Sequence, residues 1–162
     1  MSVKIFTCGG SIDKVYSTEQ SAFLVGEPAV GKTLDEANVT VAYEIEPLME
    51  KDSLDMTDGD RALIVRRVGA DEHRHILITH GTDTMAETAR ALSDVSAKTI
   101  VLTGAMQPAA FRVSDAPFNV GAAFLAVQLL PPGVYIAMNG RIFDPARAKK
   151  NVAEDRFEVS RE

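Results

Sequence analysis

The run Ile76-Leu77-Ile78-Thr79-His80-Gly81-Thr82-Asp83-Thr84-Met85 decides the fold. An apolar, β-branched segment ends at a glycine, polar residues follow, and Thr84-Met85-Ala86-Glu87 opens a helical pattern. Thr84 and Glu87 have capping-box spacing, in which a hydroxyl and an acid satisfy the first helical N–H groups reciprocally. The stretch reads as strand, tight turn, helix start. Thr82 and Asp83 then fall at the carboxyl end of a strand, where open α/β sheets bind ligands. Helix N–H groups without intrahelical acceptors lie beside them. An ordinary helix cap uses the same residue types, so this stretch alone leaves a cap and a reactive site both open.

Outward from it, the middle of the chain alternates. Thr57-Asp58-Gly59-Asp60 starts a helix whose apolar stripe is Ala62, Leu63, Val65 and Val68, ending at Gly69. Ile76 to Thr79 is a strand, Thr84 to Ser93 a helix, and Thr99 to Thr103 a strand closed by Gly104. A polar loop leads to Asp115-Ala116-Pro117, which opens a long helix with Phe118, Ala122, Leu125 and Leu129 at helical spacing. Pro131-Pro132-Gly133 stops it; Val134 to Met138 is a strand, Asn139-Gly140 a hairpin turn, and Ile142-Phe143 pairs back. Towards the N-terminus, Val3 to Thr7 reads as a strand broken by Cys8-Gly9-Gly10-Ser11. Tyr16 to Val25 reads as a loop or hairpin, Thr33 to Ala37 as a short helix, and Val39 to Ile45 as a strand. Leu48 to Leu54 reads as a loop containing Ser53, and the mixed-charge tail after Asp144 as a solvated end. Alternating strands and helices predict an α/β fold: three layers, a mostly parallel sheet with helices on both faces.

Composition narrows the function. A chain of 162 residues with 46% hydrophobic content suits one compact domain. A net charge of −6 without a long basic run argues against nucleic acid or an anionic membrane as partner. No apolar run approaches the roughly 18 residues of a membrane span. The one cysteine, Cys8, allows no internal disulfide, and the first residues show no signal-peptide pattern, so a cytoplasmic protein is expected.

Other motifs carry less. Gly26-Glu27-Pro28-Ala29-Val30-Gly31-Lys32-Thr33 fits the phosphate-loop pattern, but too few residues follow for a substantial helix. No later strand ends in an acid to hold Mg²⁺. A surface loop is expected there. His73 and His75 lack a third metal ligand, and Asp55 to Asp60 lacks the glutamate of a calcium loop. His80 reads as a hydrogen-bonded packing residue. No metal and no cofactor are expected.

Three strand ends carry glycine-flanked hydroxyls, and together they resemble the bacterial-type L-asparaginase family. The signature T-G-G-T-I is matched by Cys8-Gly9-Gly10-Ser11-Ile12. The signature H-G-T-D-T-M-x-E-T is complete in His80 to Thr88. A third block appears as Gly104-Ala105-Met106-Gln107-Pro108 and Asp115-Ala116-Pro117-Phe118-Asn119. The resemblance implies that residues 1–162 form one unit like the N-terminal asparaginase domain, without the second domain of full-length members. It implies a nucleophile at Ser11 assisted by Tyr16, and a second catalytic set of Thr82, Asp83 and Lys150, with Lys149 one step away. It implies a substrate-binding set of Gly10, Ser53, Leu54, Thr82, Asp83 and Ala105. Ser11 and Cys8 stand where the family has threonine, and Leu54 where it has glutamine.

The chemistry agrees with amide hydrolysis, because a hydroxyl nucleophile needs an adjacent base. Backbone N–H groups at glycine turns can stabilise an oxyanion. The expected function is hydrolysis of L-asparagine, or a similar small amide, to L-aspartate and ammonia. The rival is a non-catalytic binder of an amino acid or amide. A homodimer or homotetramer is expected, since the family closes its site with a neighbouring subunit.

Overall fold

The computed structural model describes residues 1–161. Its centre is a six-stranded sheet in the order β4-β1-β5-β6-β7-β8. These strands are β1 (Ser2–Gly9), β4 (Ala42–Lys51), β5 (His75–Thr79), β6 (Thr99–Thr103), β7 (Gly133–Met138) and β8 (Arg141–Phe143). All neighbours pair in parallel except β8, which returns antiparallel through the Asn139-Gly140 turn. The strands follow one another outward on both sides of β1, so the order reverses between β1 and β5, the switch point where such sheets bind ligands.

Four helices cover the sheet. On one face, α2 (Asp58–Ala70) and α3 (Met85–Ala91) bury Ile64, Val68, Met85 and Ala89 against Phe6, Ile76, Ile78 and Leu102. On the other, α1 (Val30–Glu36) and α4 (Ala116–Leu129) bury Leu34, Val120, Phe124 and Val127 against Ile5, Leu77 and Val101. Each large aliphatic or aromatic side chain buried this way contributes about 1.5–3 kcal/mol. No helix among the described residues is long and apolar enough to cross a membrane.

Several local expectations change. β1 runs on through Cys8 to Gly9 rather than breaking at Cys8. β4 likewise runs to Lys51, so Ser53 follows a strand instead of lying within a loop. Pro47 is tolerated because β4 is an edge strand pairing only with β1. In α2 the buried positions are Ile64 and Val68, while Ala62 is exposed. In α4 the stripe of Phe118, Leu125 and Leu129 faces outward, and Val120, Ala123, Phe124 and Val127 face the sheet. The helix is apolar all round, so periodicity cannot choose its buried side.

Residues 16–25 lie in a hairpin of β2 (Lys14–Ser17) and β3 (Ala22–Val25), apart from the main sheet. The phosphate-loop pattern therefore follows a strand outside the sheet and opens a helix of only seven residues. Lys32 is largely exposed beside Glu36. The tail is not a solvated end. It folds as a hairpin of β9 (Ala148–Asn151) and β10 (Arg156–Val159), because Phe157 is buried against Phe143. The Phe157 N–H donates to Asn139 Oδ1 at 2.9 Å, tying this hairpin to the β7–β8 turn.

Candidate active site

Three segments meet at the carboxyl ends of β1, β4 and β5. Gly10 has a φ of +89°, and a Cβ there would lie 2.4 Å from Gly81 Cα. Only glycine combines that dihedral with that approach. A Cβ on Gly81 would in turn lie 2.6 Å from Ser53 Oγ. The turn after β1, the turn after β5 and the 3₁₀ turn after β4 are thus stacked through Gly10, Gly81 and Ser53, with Ser11 and Thr82 each one residue on from a stacked glycine.

Ser53 is buried and held by Thr84 at the start of α3. Thr84 Oγ1 donates to the Ser53 carbonyl at 2.8 Å, and the Thr84 N–H donates to Ser53 Oγ at 3.3 Å. The capping box expected at Thr84 consequently does not form: its hydroxyl makes no cap bond, and Glu87 pairs with Arg61 at 3.2 Å. The tertiary partner wins because Ser53 is buried and its carbonyl has to be satisfied.

The β9–β10 hairpin delivers Lys150. Its ammonium donates to Thr82 Oγ1 and to Asp83 Oδ1, both at 2.8 Å. Lys150 is only 17% exposed on its side chain, whereas Lys149 is exposed. The geometry thus selects Lys150 over Lys149. Across the site, Lys14 pairs with Asp52 at 2.8 Å, joining the first turn to the Ser53 turn. Lys14 holds the Asp52 carboxyl below its usual range, with the Leu54 N–H and the charge of Lys150 adding to the effect.

Other expected residues are placed as follows. Leu54 is exposed at 71%, and its N–H donates to Asp52 Oδ1 at 3.0 Å. Ala105 is fully buried, so only its backbone can face a substrate. Tyr16 is 55% exposed on β2 with its ring edge-on to Phe23, and its hydroxyl has no hydrogen-bond partner among the described residues. The structure does not join that hydroxyl to the rest of the site.

Beneath the stacked turns lie their supports, of which only His80, read as a hydrogen-bonded packing residue, was expected from the sequence. His80 is fully buried, with Nδ1 at 2.7 Å from the Gly81 carbonyl and Nε2 at 2.8 Å from Thr88 Oγ1. Burial pushes the imidazole down to about 4, despite the Gly81 carbonyl, so it is a neutral brace for the β5 turn. Asp115 accepts from the N–H groups of Met106 and Gln107, both at 2.9 Å, and Asn119 Nδ2 donates to the Gly104 carbonyl at 3.0 Å. These bonds fix the loop after β6. Asp13 is buried beneath the first turn and accepts the Ala29 N–H at 2.9 Å. Burial pushes its carboxyl up to about 7, against the lowering by that N–H. An acid one residue past the G-G-S-I motif was the available signal. Cys8 is buried near the end of β1, and burial pushes its thiol up to about 12.

A lysine pinned between a hydroxyl and a carboxylate, beside a second hydroxyl on a stacked glycine turn, is suited to acyl transfer. The chain is similar to known proteins. The model of the asparaginase N-terminal family matches residues 2–160. L-asparaginase of Thermococcus kodakarensis is 37% identical over 112 residues, covering 66% of this chain and 34% of that protein. L-asparaginase 2-3 of Saccharomyces cerevisiae is 32% identical over 161 residues, covering 87% of this chain and 42% of that protein. The solved structure of the thermostable Thermococcus kodakarensis enzyme superposes with a TM-score of 0.83 at 29% identity, covering 98% of this chain and 51% of that one. The chain spans about a third to a half of the length of these relatives.

Proposed function

From the premise that this chain belongs to the asparaginase N-terminal family, we propose that it is an amidohydrolase acting on L-asparagine or a similar small amide. The observation that carries the reading is the Lys150 ammonium seated on both Thr82 and Asp83 at the sheet's switch point. In this reading Ser11 Oγ attacks the side-chain amide carbon, and its proton passes to the departing ammonia. Water then cleaves the resulting ester, giving L-aspartate and restoring Ser11. In this reading the neutral Lys150 amine takes the Thr82 Oγ1 proton as that oxygen takes one from the attacking water, and the resulting ammonium returns a proton to Ser11 Oγ when the ester breaks. Backbone N–H groups of the stacked turns stabilise the oxyanion. Tyr16 is assigned the assisting role at Ser11.

Ser53, Gly10, Ala105 and Asp83 form the substrate cradle. Asp83 takes the α-ammonium, and Ser53 is assigned to the α-carboxylate. The reading treats residues 1–162 as one asparaginase-like unit, working in the cytoplasm as a homodimer or homotetramer. The rival reading, a binder of an amino acid or amide without turnover, draws on Leu54, an exposed apolar residue beside the substrate cradle.

Ammonia release from a panel of amides tests the reading. Turnover of L-asparagine that falls at least about 100-fold in Ser11→Ala and in Thr82→Ala is the expected result. Saturable binding without ammonia release establishes the binder, and full activity in both variants removes this mechanism.

A further inference from the structure

The turn that carries Ser11 is fastened at both ends to adjacent residues, Lys51 and Asp52, which lead into the turn that carries Ser53. Ahead of Ser11, the Gly10 N–H donates to the Lys51 carbonyl at 2.9 Å. Beyond Ser11, the Lys14 ammonium donates to Asp52 Oδ2 at 2.8 Å. The other oxygen of that carboxylate, Oδ1, caps the Ser53 turn by accepting the Leu54 N–H at 3.0 Å. Lys14 in turn closes the Ser11 turn, its N–H donating to the Ser11 carbonyl. One ion pair therefore joins the caps of both short 3₁₀ turns.

The strands do not fix this spacing by themselves. The β1–β4 ladder is regular from Ser2 opposite Ala42 to Thr7 opposite Pro47, but Gly9 then stands opposite Lys51. From Pro47 to Lys51, β4 takes four steps where β1, from Thr7 to Gly9, takes two. Pro47 has no N–H to give, and an interrupted ladder re-aims the chain at a strand end. The Lys14–Asp52 pair supplies a tie where the ladder is broken. Its side chains are only 26% and 30% exposed, so salt screens it less than a surface pair. Asp52 also feels the charge of Lys150, which sets this carboxylate beside the proposed chemistry.

In the hydrolytic reading, Ser11 attacks the amide carbon while Ser53 holds the α-carboxylate. The span between the two turns must then match the length of carbon chain between those groups. L-Asparagine and L-glutamine differ in that length by one methylene. We propose that Lys14 and Asp52 are positioning residues whose ion pair sets the span between the Ser11 and Ser53 turns and so selects the length of amide that is hydrolysed. The proposal rests on the hydrolytic reading for the roles of Ser11 and Ser53.

The ratio of kcat/KM for L-asparagine to that for L-glutamine reads the span. Calorimetric titration with the product acids, L-aspartate and L-glutamate, reads it without turnover. The parent should prefer the shorter amide and the shorter acid. Lys14→Met should narrow both preferences at least about tenfold, the lower end of what one methylene is worth in a fitted site. Lys14→Arg, which can still pair with Asp52, should keep them. Asp52→Asn retains an acceptor for the Leu54 N–H but not the charge, and should follow Lys14→Met. An unchanged ratio overturns the proposal, and so does a parent that treats both lengths alike. A loss of turnover by the same factor for both amides also overturns it, because that is general damage to the fold. A parent that prefers L-aspartate but releases no ammonia removes hydrolysis alone. The acid preferences then decide, upholding the span if they narrow in Lys14→Met and overturning it if they do not. A parent that neither turns over nor binds these compounds overturns both readings. Should Lys14→Met fail to fold, Asp52→Asn decides.

Discussion

Two lysines sit at opposite ends of the same parallel sheet and are partnered differently. Lys4, near the amino end of β1, has a side chain only 5% exposed. It is bonded to Glu44, with Glu46 at 3.0 Å and Asp71 at 3.7 Å. Burial opposes its charge, yet Glu44 and Glu46 more than offset this and hold it above the ordinary lysine value. Lys150, at the carboxyl end, has one carboxylate and one hydroxyl. The first arrangement surrounds the ammonium with three carboxylates and locks the edge strand β4 onto β1. The second leaves a hydroxyl directly under the ammonium, beside turns too tightly stacked to admit side chains. One cluster stabilises the fold, and the other is the one to which the proposed function gives the chemistry.

Removing the two lysines should separate those roles most sharply. Lys150→Met is expected to cost about 1000-fold in ammonia release, roughly 4 kcal/mol of transition-state stabilisation, with little change in melting temperature. Lys4→Met is expected to do the reverse. It strands partly buried carboxylates and should cost about 3 kcal/mol in urea unfolding, the low end for a broken buried pair, because Glu44 remains 61% exposed. Its turnover should stay within about twofold of the parent at low temperature. A stability loss in Lys150→Met larger than that in Lys4→Met would erase the distinction.

The carboxyl end also carries two buried titrating groups of opposite effect. Asp13 keeps its proton to about pH 7 when folded, so its contribution to stability is present at acid pH and lost as pH rises towards 7. His80 stays neutral down to about pH 4, so its contribution is present above pH 6.5 and lost as pH falls towards 4. Between those limits the two slopes oppose each other, and the parent should show a nearly flat stability profile from these groups. Asp13→Asn retains an acceptor for the Ala29 N–H and unmasks the His80 slope. Its stability should rise by about 2 kcal/mol from pH 4.5 to 6.5, discounted from the ideal value, as read by denaturant midpoints. A profile parallel to the parent's would show that Asp13 does not hold a proton in the folded state.

The smallest effect comes from the two threonine helix starts. Thr57 makes its capping box with Asp60, through bonds of 3.2 and 2.9 Å. Thr57→Ala should cost about 1 kcal/mol of stability and leave kinetics alone. Thr84→Ala should cost a similar amount but raise KM, because it frees Ser53. Equal kinetics in both variants would mean that Ser53 needs no brace.

Thr57 and Thr84 also show how far the sequence reaches. Glu87 follows Thr84 at capping-box spacing, so local pattern predicts the box there, whereas Thr57 to Asp60 reads only as a helix start. The box forms instead at Thr57, whose hydroxyl bonds only within its own helix. It fails at Thr84, where a buried Ser53 from another segment competes for the same hydroxyl. The α4 stripe has the same origin: with apolar residues on all sides, only packing against β5, β6 and β7 selects which are buried.

The sequence by itself determined the alternation of strands and helices, hence the parallel sheet, and the glycine-flanked hydroxyls at its strand ends. Those features are local, set by periodicity and by backbone freedom at glycine. Only the tertiary structure decided that Lys150 rather than Lys149 reaches Thr82. It also showed the tail folding back on Phe157, Tyr16 standing outside the hydrogen-bonded site, and Asp13 and His80 buried beneath it. Each of these depends on desolvation and contact between segments far apart in the chain, and no local pattern records which side chains a strand end will meet.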